Sequence, residues 1–429
     1  MNKQFKLFAI LTFLLIFSIT FYQWCSMIAL LTWTICGIIA SKSATKESDK
    51  LLSLTEIAML LFFAINAISI LFSFDKTEGL TNLQSFLPFA IIPLMASLYQ
   101  KQLKDNHIPL LRFFVLGAVA TSLICLVAAL VRSFYITDGS LVFNPYIGFR
   151  NQFVYTHLSI FLYTNTFAMC IVFTLAILIW ELLFRSIHRR WPIYLGIALC
   201  ILMIFLLSSR TNVYALFAVL YFSVLVFYLR FKKLIHSIIM LIAVTGLFWI
   251  FQNYNYRVLN LSKQVTSYIT EEDIVMDNGY VIHHPQNIEN VNIRFQMWET
   301  GIKLLRQYWI TGCGIGDYKN VLRSEYQFDG IDEAYQKGYD QHNQYIETFA
   351  TTGIIGGFLL LTILILALIS AIKYRNYLLC CCLLLITLNM MLESMLNRFS
   401  ASLFFVVAIL LSMQTKFLDG QKNSIYKKS

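Results

Sequence analysis

Charge is scarce in this sequence: only 13% of its 429 residues are Asp, Glu, Lys or Arg, whereas a soluble domain carries about 25%. With 58% of the chain hydrophobic, water is excluded as its main solvent. Proline is scarce as well, with six in all. No Pro/Gly/Ser-rich linker, low-complexity tract or internal repeat divides the chain. Transporters tend to show repeats and spans broken by Gly or Pro near the membrane centre, so that class lacks its usual marks. Segments of alternating polarity are missing, which excludes a transmembrane barrel. Nine cysteines are present, but eight fall in or beside apolar runs and only Cys313 stands in a long polar stretch. Neither a disulfide framework nor a metal quartet follows, and the run Cys380, Cys381, Cys382 at a span edge suits plain helix packing, with a covalently attached lipid as the alternative.

What the sequence has in abundance is apolar runs. A helix of roughly 20 apolar residues crosses the hydrocarbon core with its own backbone hydrogen bonds satisfied. About twelve such runs occur, near residues 5–22, 24–40, 52–74, 84–99, 110–136, 157–184, 193–208, 211–229, 234–251, 346–372, 377–392 and 399–415. The first follows Lys3 and Lys6 but leads straight into the second with no small-residue cleavage site, so it reads as a retained anchor. The expected fold is an all-α polytopic membrane protein with one long, partly helical loop. Residues 1–251 would form a first transmembrane bundle, 252–344 the loop, and 345–429 the last spans and a tail.

The net charge of +10 is spread through short loops rather than gathered into a patch, which argues against nucleic acid and for topology signals. With the N-terminus in the cytoplasm, 20 of the 33 Lys and Arg fall on that side. The short outward segments hold only Lys76, Arg132, Arg150, Arg210 and Arg398. Both termini are then inside and the long loop is exported. Within that loop, Trp298, Ile302, Leu305 and Trp309 follow helical spacing, an aromatic face suited to lying on the membrane surface.

A charge in a span costs roughly 2.5–3.5 kcal/mol and is a functional candidate by default. Arg210, in LLSSRTNVYAL, sits at a tight outward turn between two apolar runs. Arg294 lies four residues before Trp298, hence on the same helix face, pointing toward membrane or a covered cleft. His342, in DQHNQYIETFATTGIIGG, shares a helical face with Ile346, Phe349, Gly353 and Gly357. Arginine donates paired hydrogen bonds suited to a pyrophosphate, and histidine can take a proton from a hydroxyl near neutral pH. Headgroup contacts for the arginines and a structural hydrogen bond for the histidine stand as alternatives. The glycine run in TGCGIGDYKN has no preceding strand and reads as a turn. His283 with His284 lack an acidic partner for zinc, and Glu271, Glu272 and Asp273 read as a solvated run.

Three features together resemble the O-antigen ligase superfamily: Ser208-Ser209-Arg210 at an outward helix junction, Arg294 to Gly316 as Arg, aromatic amphipathic helix and Gly-rich turn, and His342-Asn343 leading to Gly353. The resemblance covers roughly residues 190–415. It implies an inverting transfer of a glycan from undecaprenyl diphosphate to an acceptor hydroxyl, on the periplasmic face of the cell inner membrane. The acceptor in the ligase is lipid A-core; in the polymerase it is another lipid-linked chain. No metal and no cofactor is implied. Carried over by residue, Arg210 and Arg294 would bind the diphosphate and stabilise the leaving group, and His342 would orient or deprotonate the acceptor. Asn343, Arg150, Glu393 and Arg398 are further candidates for the substrate site. A lipid-linked sugar transporter is the reading from another class.

Overall fold

A computed structural model describes residues 3–41, 52–137, 140–147, 150–186, 188–255, 274–275, 281–282 and 289–415. His283, His284, the Glu271–Asp273 run, the Lys42/Lys46/Lys50 segment and the tail from 416 onward lie outside the described residues. Helices dominate: α1 (Lys3–Ser18), α2 (Gln23–Ser41), α3 (Leu54–Ser69), α4 (Lys76–Leu83), α5 (Leu87–Leu98), α6 (Gln100–Asp105), α7 (His107–Arg132), α8 (Thr164–Phe184), α9 (Trp191–Leu207), α10 (Arg210–Phe231) and α11 (Leu234–Tyr254) precede the long loop. The loop contributes α12 (Glu289–Gln307), α13 (Tyr318–Phe328) and α14 (Asp332–Lys337), and the chain ends in α15 (Gln344–Lys373), α16 (Tyr377–Leu392) and α17 (Phe399–Gln414). Among the described residues the strands make two-stranded hairpins.

Eight of the described helical segments are long and apolar enough to cross a membrane, and four shorter apolar helices accompany them. These segments overlap the apolar runs of the sequence, so the chain is a multi-pass membrane protein with an all-α fold.

Helices apolar on every side belong at the centre of a bundle, and α8 and α17 take that place. Their side chains are buried along nearly the whole length. Phe173 of α8 meets Phe114 and Phe404 edge-on at centroid separations of 5.3 and 5.6 Å, and Phe89 packs on Phe405 at 5.3 Å, arrangements that add to area burial. The loop helices close over a separate small core of Ile293, Met297, Leu304, Tyr318, Leu322 and Tyr326, seated on Ala350 of α15. Cys313 belongs to it, and burial pushes its thiol up to about 12, which makes it an inert packing group.

The face that α12 buries is Ile293, Met297, Thr300, Gly301 and Leu304. The Trp298/Ile302/Leu305/Trp309 face expected to meet the membrane is the opposite one: Ile302 and Trp309 are exposed and Trp298 and Leu305 half-buried. Both faces carry apolar residues, so the helix packs inward with one and keeps the aromatic one available.

The loop is clamped to the bundle by TGCGIGD. Helix α15 breaks at Gly353 (φ +68°, ψ −167°), and the break frees backbone groups that the loop satisfies. Ile354 N–H donates to Trp309 O at 2.8 Å, while Ala350 O and Thr351 O accept from the N–H of Cys313 (2.9 Å) and Gly314 (3.0 Å). The Asp317 carboxylate accepts from the N–H of Phe74 (2.6 Å) and Asp75 (2.9 Å), in the turn that opens α4. The run is therefore a turn, as expected from its sequence context, and its glycines permit backbone-to-backbone approach. A Cβ on Gly353 would lie 2.1 Å from Ile310 O, and one on Gly312 (φ +73°) 2.2 Å from Thr351 O. Gly353→Ala is expected to cost about 3 kcal/mol or more. Thermal unfolding in detergent should show a marked drop in midpoint, and an unchanged midpoint would mean that the clamp does not hold the fold.

Candidate functional site

One end of the bundle gathers the start of α15, the end of α16, the start of α17 and the α9–α10 junction. His342 is placed there by a tight turn rather than by a helix. Its φ is +46°, a left-handed conformation uncommon for a residue with a side chain, and Asp340 Oδ1 accepts from its backbone N–H at 3.0 Å. Asn343 then caps α15, its side-chain oxygen accepting from the N–H of Tyr345 (3.0 Å) and Ile346 (3.1 Å), as an N-cap amide does. The expectation that His342 leads a helical stripe through Ile346 and Phe349 is corrected: the histidine precedes the helix. The first turns of α15 instead bury Gln344, Glu347, Thr348 and Thr351, a polar face. Gln344 ties this segment to the turn after α16, because its Oε1 accepts from Leu396 N–H at 2.7 Å.

That turn delivers Glu393, which is 7% exposed. Its carboxylate is shared. Oε2 lies 3.4 Å from His342 Nδ1, and Oε1 lies 3.8 Å from Arg294 Nη2, which α12 brings across from the loop. Asp340 Oδ1 stands 3.2 Å from the same Nδ1. None of these meets the alignment of a hydrogen bond at His342, whose Nδ1 is buried. The groups are ion-pair neighbours with room to tighten. Burial works against the imidazolium, but contact with Glu393 and the nearby charge of Asp340 outweigh it, against the opposing charge of Arg294, and hold the His342 pKa above its ordinary value. Burial likewise raises that of Glu393, yet His342, Arg294 and Arg398 together hold it below the usual carboxylate range. Two carboxylates facing Nδ1 leave the neutral ring with its proton there and the lone pair on Nε2.

Arg398, the residue before α17, places its guanidinium 3.6 Å from the ring centroid of Tyr163, a cation–π contact at the rim of the same cluster. The arginine therefore has an aromatic partner in addition to the charge of Glu393.

Arg210 opens α10 directly after a junction that is pinned on both sides. Ser208 takes a left-handed φ of +48°, and Asn255 donates to Phe205 O (2.8 Å) and Ser208 Oγ (3.2 Å). Ser209 Oγ donates to Asn165 Oδ1 at 2.8 Å and accepts from Asn212 Nδ2 at 2.9 Å. Asn212 in turn accepts from Asn389 at 3.1 Å, one helical turn before Glu393. This buried amide chain fixes the first turn of α10 against the end of α16, so Arg210 enters the same end of the bundle as Glu393. Arg150 pairs through its backbone with Ile147 in a short hairpin; its side chain lies outside the described residues.

His342, Arg294, Glu393 and Arg398 thus form one cluster, with Arg210 on the neighbouring helix start. Asp340 was missed by sequence reasoning, although its spacing of two from His342 is the pattern of a side chain bonding its own turn. Glu347 was missed too. It is 3% exposed with Oε2 unpartnered among the described residues, and it lines a small cavity of mixed character with Asn66, Asn82, Phe86, Ile315 and Asn397. An acidic residue one turn into an apolar span was the available signal.

Residues 195–361 match a family model described as O-antigen ligase. The matched stretch includes Arg210, Arg294, His342 and Asn343, and it ends before Glu393 and Arg398. No curated protein matches the chain.

Proposed function

We propose that this chain, whose residues 195–361 match a family model described as O-antigen ligase, transfers O-antigen polysaccharide from undecaprenyl diphosphate to a hydroxyl of lipid A-core. The reaction site would be at the periplasmic face of the inner membrane, with both termini cytoplasmic. The observation that carries this is the meeting of Arg294 and His342 on Glu393, one loop-borne cation and one base at the same end of an apolar bundle.

In this scheme the diphosphate lies against Arg294 and Arg210, with Arg398 and Arg150 as further contacts. The planar forks supply paired donors to phosphate oxygens, and their charge offsets what develops on the departing diphosphate. The acceptor hydroxyl sits on the free Nε2 of His342, near Asn343. Its oxygen attacks the anomeric carbon from the face opposite the leaving group, so the configuration inverts. The carbon–oxygen bond to phosphate breaks with its electron pair going to the diphosphate, and the hydroxyl proton passes to Nε2. The resulting imidazolium is stabilised by Glu393 and Asp340.

The test is a gene deletion complemented with the wild-type chain, followed by gels of extracted lipopolysaccharide beside the undecaprenyl-linked glycan pool. The expected deletion phenotype is full-length glycan on undecaprenyl with bare lipid A-core. Core carrying single repeat units would instead identify a polymerase that extends lipid-linked chains. An unchanged ladder would overturn glycan transfer, and bare core beside a pool of single, unextended lipid-linked units would favour a lipid-linked sugar transporter.

A further inference from the structure

Glu393 is buried, and its two oxygens face different partners: Oε1 toward Arg294 from the loop and Oε2 toward His342 from the head of α15. Both distances, 3.8 and 3.4 Å, are longer than a charge-assisted hydrogen bond of about 2.7–2.9 Å. A single carboxylate held between two cationic groups at slack distance serves neither fully. Removing one competitor strengthens its hold on the other, because in a buried site the attraction rises steeply as the separation falls.

We propose that Glu393 is a positioning residue that couples the two halves of the site: an anionic diphosphate seated on Arg294 draws that guanidinium away, and the released carboxylate closes on His342 Nδ1. The inference rests on the glycan-transfer proposal for the identity of the anion, but the coupling belongs to the side chains themselves. Its consequence is order. The imidazole is fully oriented, and its basicity raised, only once donor phosphate is in place, which discourages proton removal from an acceptor with no donor to receive it.

The groups facing His342 are few. Asp340 comes from its own turn, Glu393 from the turn after α16, and Arg294 from α12, with the Tyr339 ring at 6.0 Å. Beyond Glu393 stand Arg398 and Tyr163. Asp340 is fixed by the His342 backbone, so the movable contribution is that of Glu393.

The experiment uses the full chain in detergent and needs no glycan substrate. Diethyl pyrocarbonate acylates the neutral imidazole, and peptide mass spectrometry reads modification at His342 alone, so its pH midpoint reports this one residue. Two variants pull in opposite directions. Glu393→Gln removes the carboxylate, and the midpoint should fall by about 0.5 pH unit or more; Arg294→Gln removes the competitor, and it should rise by a similar amount. Inorganic pyrophosphate should raise the midpoint of the wild type, and by less than half as much in Glu393→Gln, where only the direct field of the anion remains. In a transfer assay, Glu393→Gln should lower kcat by about 10- to 100-fold with donor KM unchanged or lower, since Arg294 is no longer held back. Glu393→Asp, which keeps the charge, should restore part of kcat. A pyrophosphate response equal in wild type and Glu393→Gln, or midpoints that move the same way in both variants, would overturn the coupling. Because the modification midpoints are taken without glycan, they stand apart from the gels that test transfer itself.

Discussion

His342→Ala is expected to reduce glycan transfer by about 10²- to 10⁴-fold, the usual contribution of a positioned general base, with little change in donor KM. The expectation rests on where the ring is held. Nδ1 is enclosed by Asp340 and Glu393, so Nε2 is the atom left to meet a hydroxyl, and no other described histidine stands in this cluster. Alanine also has to accept the left-handed backbone at this position (φ +46°), a strain of roughly 1 kcal/mol, so a loss of activity could come from a loosened turn. His342→Asn removes that ambiguity, since Asn tolerates left-handed backbone better and cannot act as a base near neutral pH. The Asn variant should unfold close to the wild-type temperature and be as inactive as the Ala variant. The rate of the wild type should rise with pH as the imidazolium gives up its proton, with the acid limb lying above the ordinary histidine range, as the raised pKa requires. Initial rates with purified donor and acceptor in proteoliposomes would settle the matter. An Asn variant within threefold of wild type would remove His342 from the chemistry and leave it a structural residue of the turn.

The apolar segments were legible because hydropathy over some twenty residues is a strong signal in lipid, where a helix satisfies its own backbone hydrogen bonds. Arg210, Arg294 and His342 were legible for the complementary reason: a charge beside a span is expensive enough to need a purpose. The relation among them was not legible. Glu393 touches residues 51 and 99 positions away in sequence, and no local pattern announces which of several turn residues will face inward. Helical counting misplaced His342, because a single left-handed residue before the cap takes the chain off the helix axis. It also misread the course of α15, since Gly353 interrupts the very stripe in which it was counted. The outward face of α12 shows the same weakness from another side. Two faces of that helix carry apolar residues, and periodicity alone could not say which of them the loop core of Met297 and Leu304 would claim.

Arg294→Ala should lower kcat/KM by about 10²- to 10³-fold, comparable to the loss of one preorganised donor to a developing anion. Arg294→Lys should recover only part of it, because a point charge on a flexible stem does not reproduce two parallel donors. Arg210 supplies the contrast that makes the pair informative. It is mounted on a helix start locked by the Asn165–Ser209–Asn212–Asn389 chain, whereas Arg294 belongs to the loop and reaches the site from outside the bundle. If both grip one diphosphate, loss of Arg210 should raise donor KM and lower kcat together, since a residue fixed in place holds the diphosphate in the ground state and more tightly as charge develops in the transition state. Loss of Arg294, already engaged with Glu393 in the empty site, should fall mainly on kcat. The double variant should then be little worse than the poorer single one, because groups that act as a unit on one leaving group are strongly non-additive. The measurement is steady-state kinetics of the three variants against donor concentration. Effects that simply multiply in the double variant would mean that the two arginines serve different ligands, and a single diphosphate gripped from both sides would have to be abandoned.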